Sequence, residues 1–80
     1  SIFSPTPQIL ENVEVKNLNV INSTKCKSAF RKAEKLILGK GRLLVRKSGT
    51  EPKIRIMCES HDKSLLSKCV KIVSNSIKKN

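Results

Sequence analysis

Apolar residues at Cys26, Ala29, Phe30, Ala33, Leu36 and Ile37 recur in steps of three and four, which places them on one face of a helix. Lys25, Lys27, Arg31, Lys32 and Lys35 fill its other face. Ser23 or Thr24 can cap the start, and Gly39-Lys40-Gly41 ends it with two residues suited to positive φ. A second stripe follows at Leu65, Leu66, Cys69, Val70, Val73 and Ile77. Asp62 is its expected N-cap, with Ser60 competing, and Lys78-Lys79 put positive charge where the helix dipole favours it. Elsewhere the period drops to two. Residues 8–15 read as a strand with Ile9, Val13 and Val15 on one face, interrupted by Glu11, and Leu10, Asn12 and Glu14 on the other. In residues 42–46, Leu43 and Val45 oppose Leu44 and Arg46. In residues 53–59, Ile54, Ile56 and Cys58 oppose Arg55, Met57 and Glu59.

Residues 16–22 carry both signals. Leu18 and Val20 alternate with polar residues, as in a further strand near 17–21, while three Asn argue for a turn. Residues 1–7 hold Pro5 and Pro7 without periodicity and read as a linker from upstream domains, leaving residues 8–80 as one domain. The order predicts an α+β fold: a small, largely antiparallel sheet of three to four strands with two helices on one face. Burying the Ile54 face under the helices points Arg46 and Arg55 away from them, unless a bulge shifts the parity.

Between the last two strands lies Arg46-Lys47-Ser48-Gly49-Thr50-Glu51-Pro52. Arg46 offers a planar, permanently charged fork that matches phosphate. Ser48 and Thr50 offer short hydroxyl donors, and Gly49 lets backbone N–H groups converge on an oxygen. Pro52 stiffens the exit, and Arg55 adds a second guanidinium from the next strand. The same residue types also make an ordinary hairpin turn with a solvated charge cluster, so composition alone leaves both readings open.

The literal string weighs on that choice. Gly41-Arg42-Leu43-Leu44-Val45-Arg46-Lys47-Ser48-Gly49-Thr50-Glu51-Pro52-Lys53-Ile54-Arg55-Ile56-Met57 resembles the phosphate-binding loop in the C-terminal domain of the α-D-phosphohexomutases, and within them the bacterial phosphoglucosamine mutase subgroup. Pro7-Gln8-Ile9-Leu10-Glu11-Asn12-Val13 resembles the opening strand of that domain. Lys53, Cys58 and Ser60 depart from the family pattern without touching the phosphate chemistry. The resemblance implies a TATA-binding-protein-like α+β domain. It also implies a phosphoserine enzyme that interconverts glucosamine 6-phosphate and glucosamine 1-phosphate through a bisphosphate. The last domain of such an enzyme holds the phosphate that is not reacting and swings to close the cleft. The implied phosphate contacts are Arg46, Ser48, Gly49, Thr50 and Arg55, with Glu51 in support, through an ion pair with Arg55 or a contact to the sugar amine. No serine here lies in the family's phosphoserine motif, and no Asp cluster suits magnesium. Catalytic serine and Mg2+ are therefore expected on upstream domains, and the 80 residues alone are expected to be inactive. Phosphomannomutases and phosphoglucomutases share much of the motif.

Net charge changes the picture next, at +11 from 17 Lys and Arg against six acids. Such a balance attracts polyanions, so a free-standing basic module is the competing class. Against a nucleic-acid partner, the 13 lysines are scattered, and no Trp or Tyr interleaves to stack bases. The two classes differ in where binding sits: at Arg46 and residues 48–50, or spread over many lysines and steeply salt-dependent.

Cys26, Cys58 and Cys69, with spacings of 32 and 11, form no metal or disulfide pattern with His61. They read as buried small apolar residues of an intracellular, cytoplasmic protein. His61 reads as a surface or capping residue. No run of 18 apolar residues is present to span a membrane. The start lacks signal-peptide regions and an initiator Met, as expected of a piece of a longer protein.

Overall fold

A computed structural model describes residues 6–79. Of the linker expected over residues 1–7, residues 1–5 lie outside the described residues. Thr6 and Pro7 are tied to the domain: the Pro7 carbonyl accepts from the Ser60 N–H at 3.1 Å, and Thr6 Oγ1 lies 3.4 Å from His61 Nε2.

The described residues form strand β1 (Gln8–Glu14), a 3-10 helix (Leu18–Asn22), helix α1 (Thr24–Ile37), strands β2 (Gly41–Lys47) and β3 (Lys53–Ser60), and helix α2 (Lys63–Lys78). The sheet order is β1-β3-β2 with both pairings antiparallel, so β3 runs down the centre. The α+β expectation holds. Ser23 caps α1 by accepting from the Cys26 N–H at 3.2 Å, and Asp62 caps α2 by accepting from the Leu65 N–H at 3.0 Å. Ser60, expected to compete for that cap, is fully buried. Its hydroxyl donates to the Lys40 carbonyl at 2.8 Å and accepts from the Asp62 N–H at 3.0 Å, joining the two turns that flank the hairpin.

The further strand near 17–21 does not form. The Asn17 side chain accepts from the Asn19 N–H at 2.9 Å, and the Val20 N–H donates to the Asn17 carbonyl at 3.2 Å, so the segment winds into a 3-10 turn. Asn offers the backbone local partners that compete with a sheet ladder. Leu18, Val20 and Ile21 pack on the edge of the core instead.

The core lies between the sheet and the two helices. Val13, Ile54, Ile56 and Cys58 come from the strands, Cys26, Ala33 and Ile37 from α1, and Leu66, Cys69, Val70, Val73 and Ile77 from α2. The predicted strand faces are the observed ones. Glu11 interrupts the β1 face as expected; its carboxylate accepts from Ser74 Oγ at 2.6 Å and lies 3.5 Å from Lys78 Nζ. Of the two glycines that end α1, Gly39 has φ +78°, whereas Gly41 has no positive φ. Gly41 is required by proximity: a Cβ there would run into the Glu59 carbonyl and sit 2.9 Å from Ser60 Cβ.

Candidate anion-binding site

The face of the sheet turned away from the helices carries three rows of side chains, set by the register. Gln8, Glu59 and Arg42 form one row, Leu10, Met57 and Leu44 the next, and Asn12, Arg55 and Arg46 the third, beside the β2–β3 loop. The first row is balanced: Arg42 Nε lies 3.0 Å from Glu59 Oε1, and Gln8 Nε2 donates to Glu59 Oε2 at 3.3 Å. The third row is not. Arg46 and Arg55 are directly opposite each other, both exposed, and none of the ion pairs among the described residues takes up either one. Glu59 stands four residues along β3 from Arg55, roughly 13 Å away, with the apolar row between them. Like charges directly across a strand pair are destabilising. An anion between the two guanidinium groups removes that repulsion.

The loop above this row has a fixed base and an open tip. The Ser48 N–H donates to the Lys53 carbonyl at 2.8 Å, the Lys53 N–H to the Glu51 carbonyl at 2.7 Å, and the Val15 N–H to the Pro52 carbonyl at 2.8 Å. The Glu51-to-Lys53 bond is a three-residue turn around Pro52, whose fixed φ suits it. At the tip, the Gly49 and Thr50 N–H groups have no partner among the described residues, nor do the Ser48 and Thr50 hydroxyls. Gly49 and Thr50 are exposed and Ser48 is half-buried. Arg46 and Arg55 thus lie at the end of the sheet from which the loop carrying Ser48, Gly49 and Thr50 leaves β2 and returns to β3. Leu10, Leu44, Met57, Arg46 and Arg55 line a shallow groove of about 220 Å³ beside them.

Three details differ from the sequence reading. The Ser48 N–H is engaged in the turn, so the free backbone donors begin at Gly49. Gly49 does not take positive φ, and a Cβ there would meet nothing within 4 Å. Glu51 pairs with Lys53 Nζ at 3.1 Å and not with Arg55; the turn around Pro52 brings Lys53 back onto it. The Arg55 Nε–H donates instead to Asn12 Oδ1 at 3.3 Å. Asn12 is a partner of a candidate site residue that sequence reasoning missed. Its position on the Leu10 face was legible, but the β1–β3 register that sets it against Arg55 was not.

Among the described residues no group of three His, Cys, Asp or Glu side chains converges. The cysteines are buried thiols. Burial pushes the Cys58 thiol up to about 11, the neighbouring Cys69 adding to the rise, and burial raises the Cys69 thiol too. No helix among the described residues is long and apolar enough to cross a membrane.

Comparison with known proteins shows the family. The family profile described as "Phosphoglucomutase/phosphomannomutase, C-terminal domain" matches residues 10–76. The phosphoglucosamine mutase of Pelagibacter ubique strain HTCC1062 is 57% identical over 76 residues, covering 95% of this chain and 17% of that protein. Those of Hyphomonas neptunium and Ruegeria pomeroyi are 41% and 43% identical over 76 residues, covering 95% and 94% of this chain and 17% of each relative. The chain thus spans about a sixth of the length of these relatives. With the profile covering both arms of the hairpin, its loop, all of α1 and all but the last two residues of α2, the chain belongs to the phosphoglucomutase/phosphomannomutase family, as a C-terminal domain.

Proposed function

We propose that this domain is the phosphate clamp of a phosphohexomutase acting on glucosamine phosphate. Arg46 and Arg55, opposite each other with no ion pair among the described residues and beside a loop with donors unpartnered there, are the observation that carries the reading. Arg46 and Arg55 supply charge, the Ser48 and Thr50 hydroxyls and the Gly49 and Thr50 N–H groups supply directed donors, and Glu51 restrains Lys53 at the rim. The clamp holds the phosphate that is not reacting. Phosphoryl transfer needs positioning and charge stabilisation above all, so binding energy gained at a distant phosphate fixes the sugar for reaction. A site that recognises phosphate and not the sugar carbon bearing it serves both orientations of a bisphosphate intermediate.

The names of the most similar relatives favour glucosamine 6-phosphate and glucosamine 1-phosphate as substrates. On this reading the phosphoserine and its magnesium belong to upstream domains of a cytoplasmic enzyme, residues 1–7 lead in from them, and residues 8–80 form the clamp domain. The purified 80-residue chain then shows no mutase turnover in a coupled assay.

An amide-resolved NMR titration with glucosamine 6-phosphate tests the clamp, with free glucosamine and a short DNA duplex as controls. Shifts centred on residues 46–50 and Arg55 are expected with the sugar phosphate and not with glucosamine. A dissociation constant of about 1 mM corresponds to the roughly 4 kcal/mol that one part of a multi-domain site supplies. Silence at the loop with sugar phosphate, together with broad, salt-sensitive shifts over both helices with DNA, overturns the reading in favour of a polyanion surface.

A further inference from the structure

We infer that Asn12 is a positioning residue for the clamp, aligning the Arg55 guanidinium without taking up its charge; the inference rests on the phosphate-clamp reading. Across the sheet, the row runs Asn12, Arg55, Arg46. Arg55 therefore has a neutral amide on one side and a second guanidinium on the other. The 3.3 Å bond from Nε–H to Asn12 Oδ1 ties it to the β1 side at one atom. Arginine has five N–H donors and no acceptor, so the amide must present its oxygen, and the four Nη–H donors remain for an anion.

The residue type matters here. An aspartate at position 12 would also orient Arg55, but as a charge-assisted pair that competes with phosphate for the same cation. Among the described residues, the open-face arginine that does meet a carboxylate is Arg42, two rows away from the loop. Asn12 thus fixes geometry at the row where charge has to stay available. Its side chain is exposed and outside the core, so substitution leaves the fold intact.

The test uses the Arg55 Nε–Hε NMR signal and titration with inorganic phosphate, in the wild-type chain, Asn12→Ala, Asn12→Asp, Arg55→Ala and the double variant Asn12→Ala/Arg55→Ala. Asn12→Ala is expected to move the Arg55 Nε–Hε signal in the free protein and to weaken phosphate roughly three- to tenfold, the loss of one aligned hydrogen bond to a charged group. In the Arg55→Ala background the same substitution is expected to change nothing further. Asn12→Asp is expected to keep the Arg55 Nε–H bonded and slow to exchange, yet weaken phosphate, with a deficit that shrinks as salt rises. An unmoved Arg55 signal in Asn12→Ala overturns the inference, as does an equal loss with and without Arg55. A wild-type chain that ignores phosphate brings down the clamp and the inference together. A wild-type response that Asn12→Ala leaves unchanged removes the inference alone.

Discussion

Arg46 and Arg55 are opposite each other on adjacent strands, with no ion pair to either among the described residues. Such a pair weakens the free fold, and on the clamp reading a bound phosphate relieves it. Arg46→Gln keeps the length of the side chain and removes its charge. The variant is expected to be more stable than the parent by roughly 0.2–1 kcal/mol, read from the urea midpoint, and to lose the phosphate response. The two effects have opposite signs. A solvated surface arginine would give neither, so a variant with unchanged stability and intact phosphate binding contradicts the clamp. Much of this site was legible in the sequence because strand parity places Arg46 and Arg55 on the same face from residue types alone. The partners of Glu51 and Arg55 were not legible. Glu51 is two residues from Lys53 and four from Arg55, and only the turn around Pro52 decides between them.

The elements followed their apolar periods closely. Both helices and all three strands of the described residues lie where the stripes and alternations put them, because each buries one face against the same core. The segment Leu18–Asn22 did not, since local bonds from Asn17 outcompeted a weak alternation. The packing of β3 on α2 has a consequence for pH. Cys58 is fully buried between them, and burial lifts its thiol from 9.0 to about 11. Below pH 9 the thiol is protonated in both the folded and unfolded chain and adds no pH dependence. Between pH 9 and about 11 the unfolded chain releases this proton and the folded chain keeps it, so stability falls as pH rises. Relative to Cys58→Ala, which shares every lysine titration, the parent is expected to lose about 2 kcal/mol across that window. Urea melts at successive pH values measure the gap. Parallel curves for the two proteins would show that the thiol ionises in the folded chain as easily as in the unfolded one.

At the scale of the whole molecule, a net charge of +11 on 80 residues sets two salt effects against each other. Self-repulsion destabilises the compact state, and any salt screens it, so added chloride raises stability whatever the arrangement of lysines. On the clamp reading, specific phosphate binding adds a further increment that depends on the site. With a dissociation constant of about 1 mM, 10 mM phosphate contributes about 1.4 kcal/mol, or roughly 6–11 °C in melting temperature for a domain of this size. Melting the chain in phosphate and in chloride of equal ionic strength separates the two, because screening is then the same. The expected result is an excess of that size for the parent and none for Arg46→Gln. If phosphate instead acts through lysines spread over the surface, the excess survives the substitution, since Arg46 is one of 17 cations. The comparison therefore asks whether the charge of this domain acts as a diffuse field or through the end of one hairpin, where two arginines stand opposite each other beside a loop with four donors.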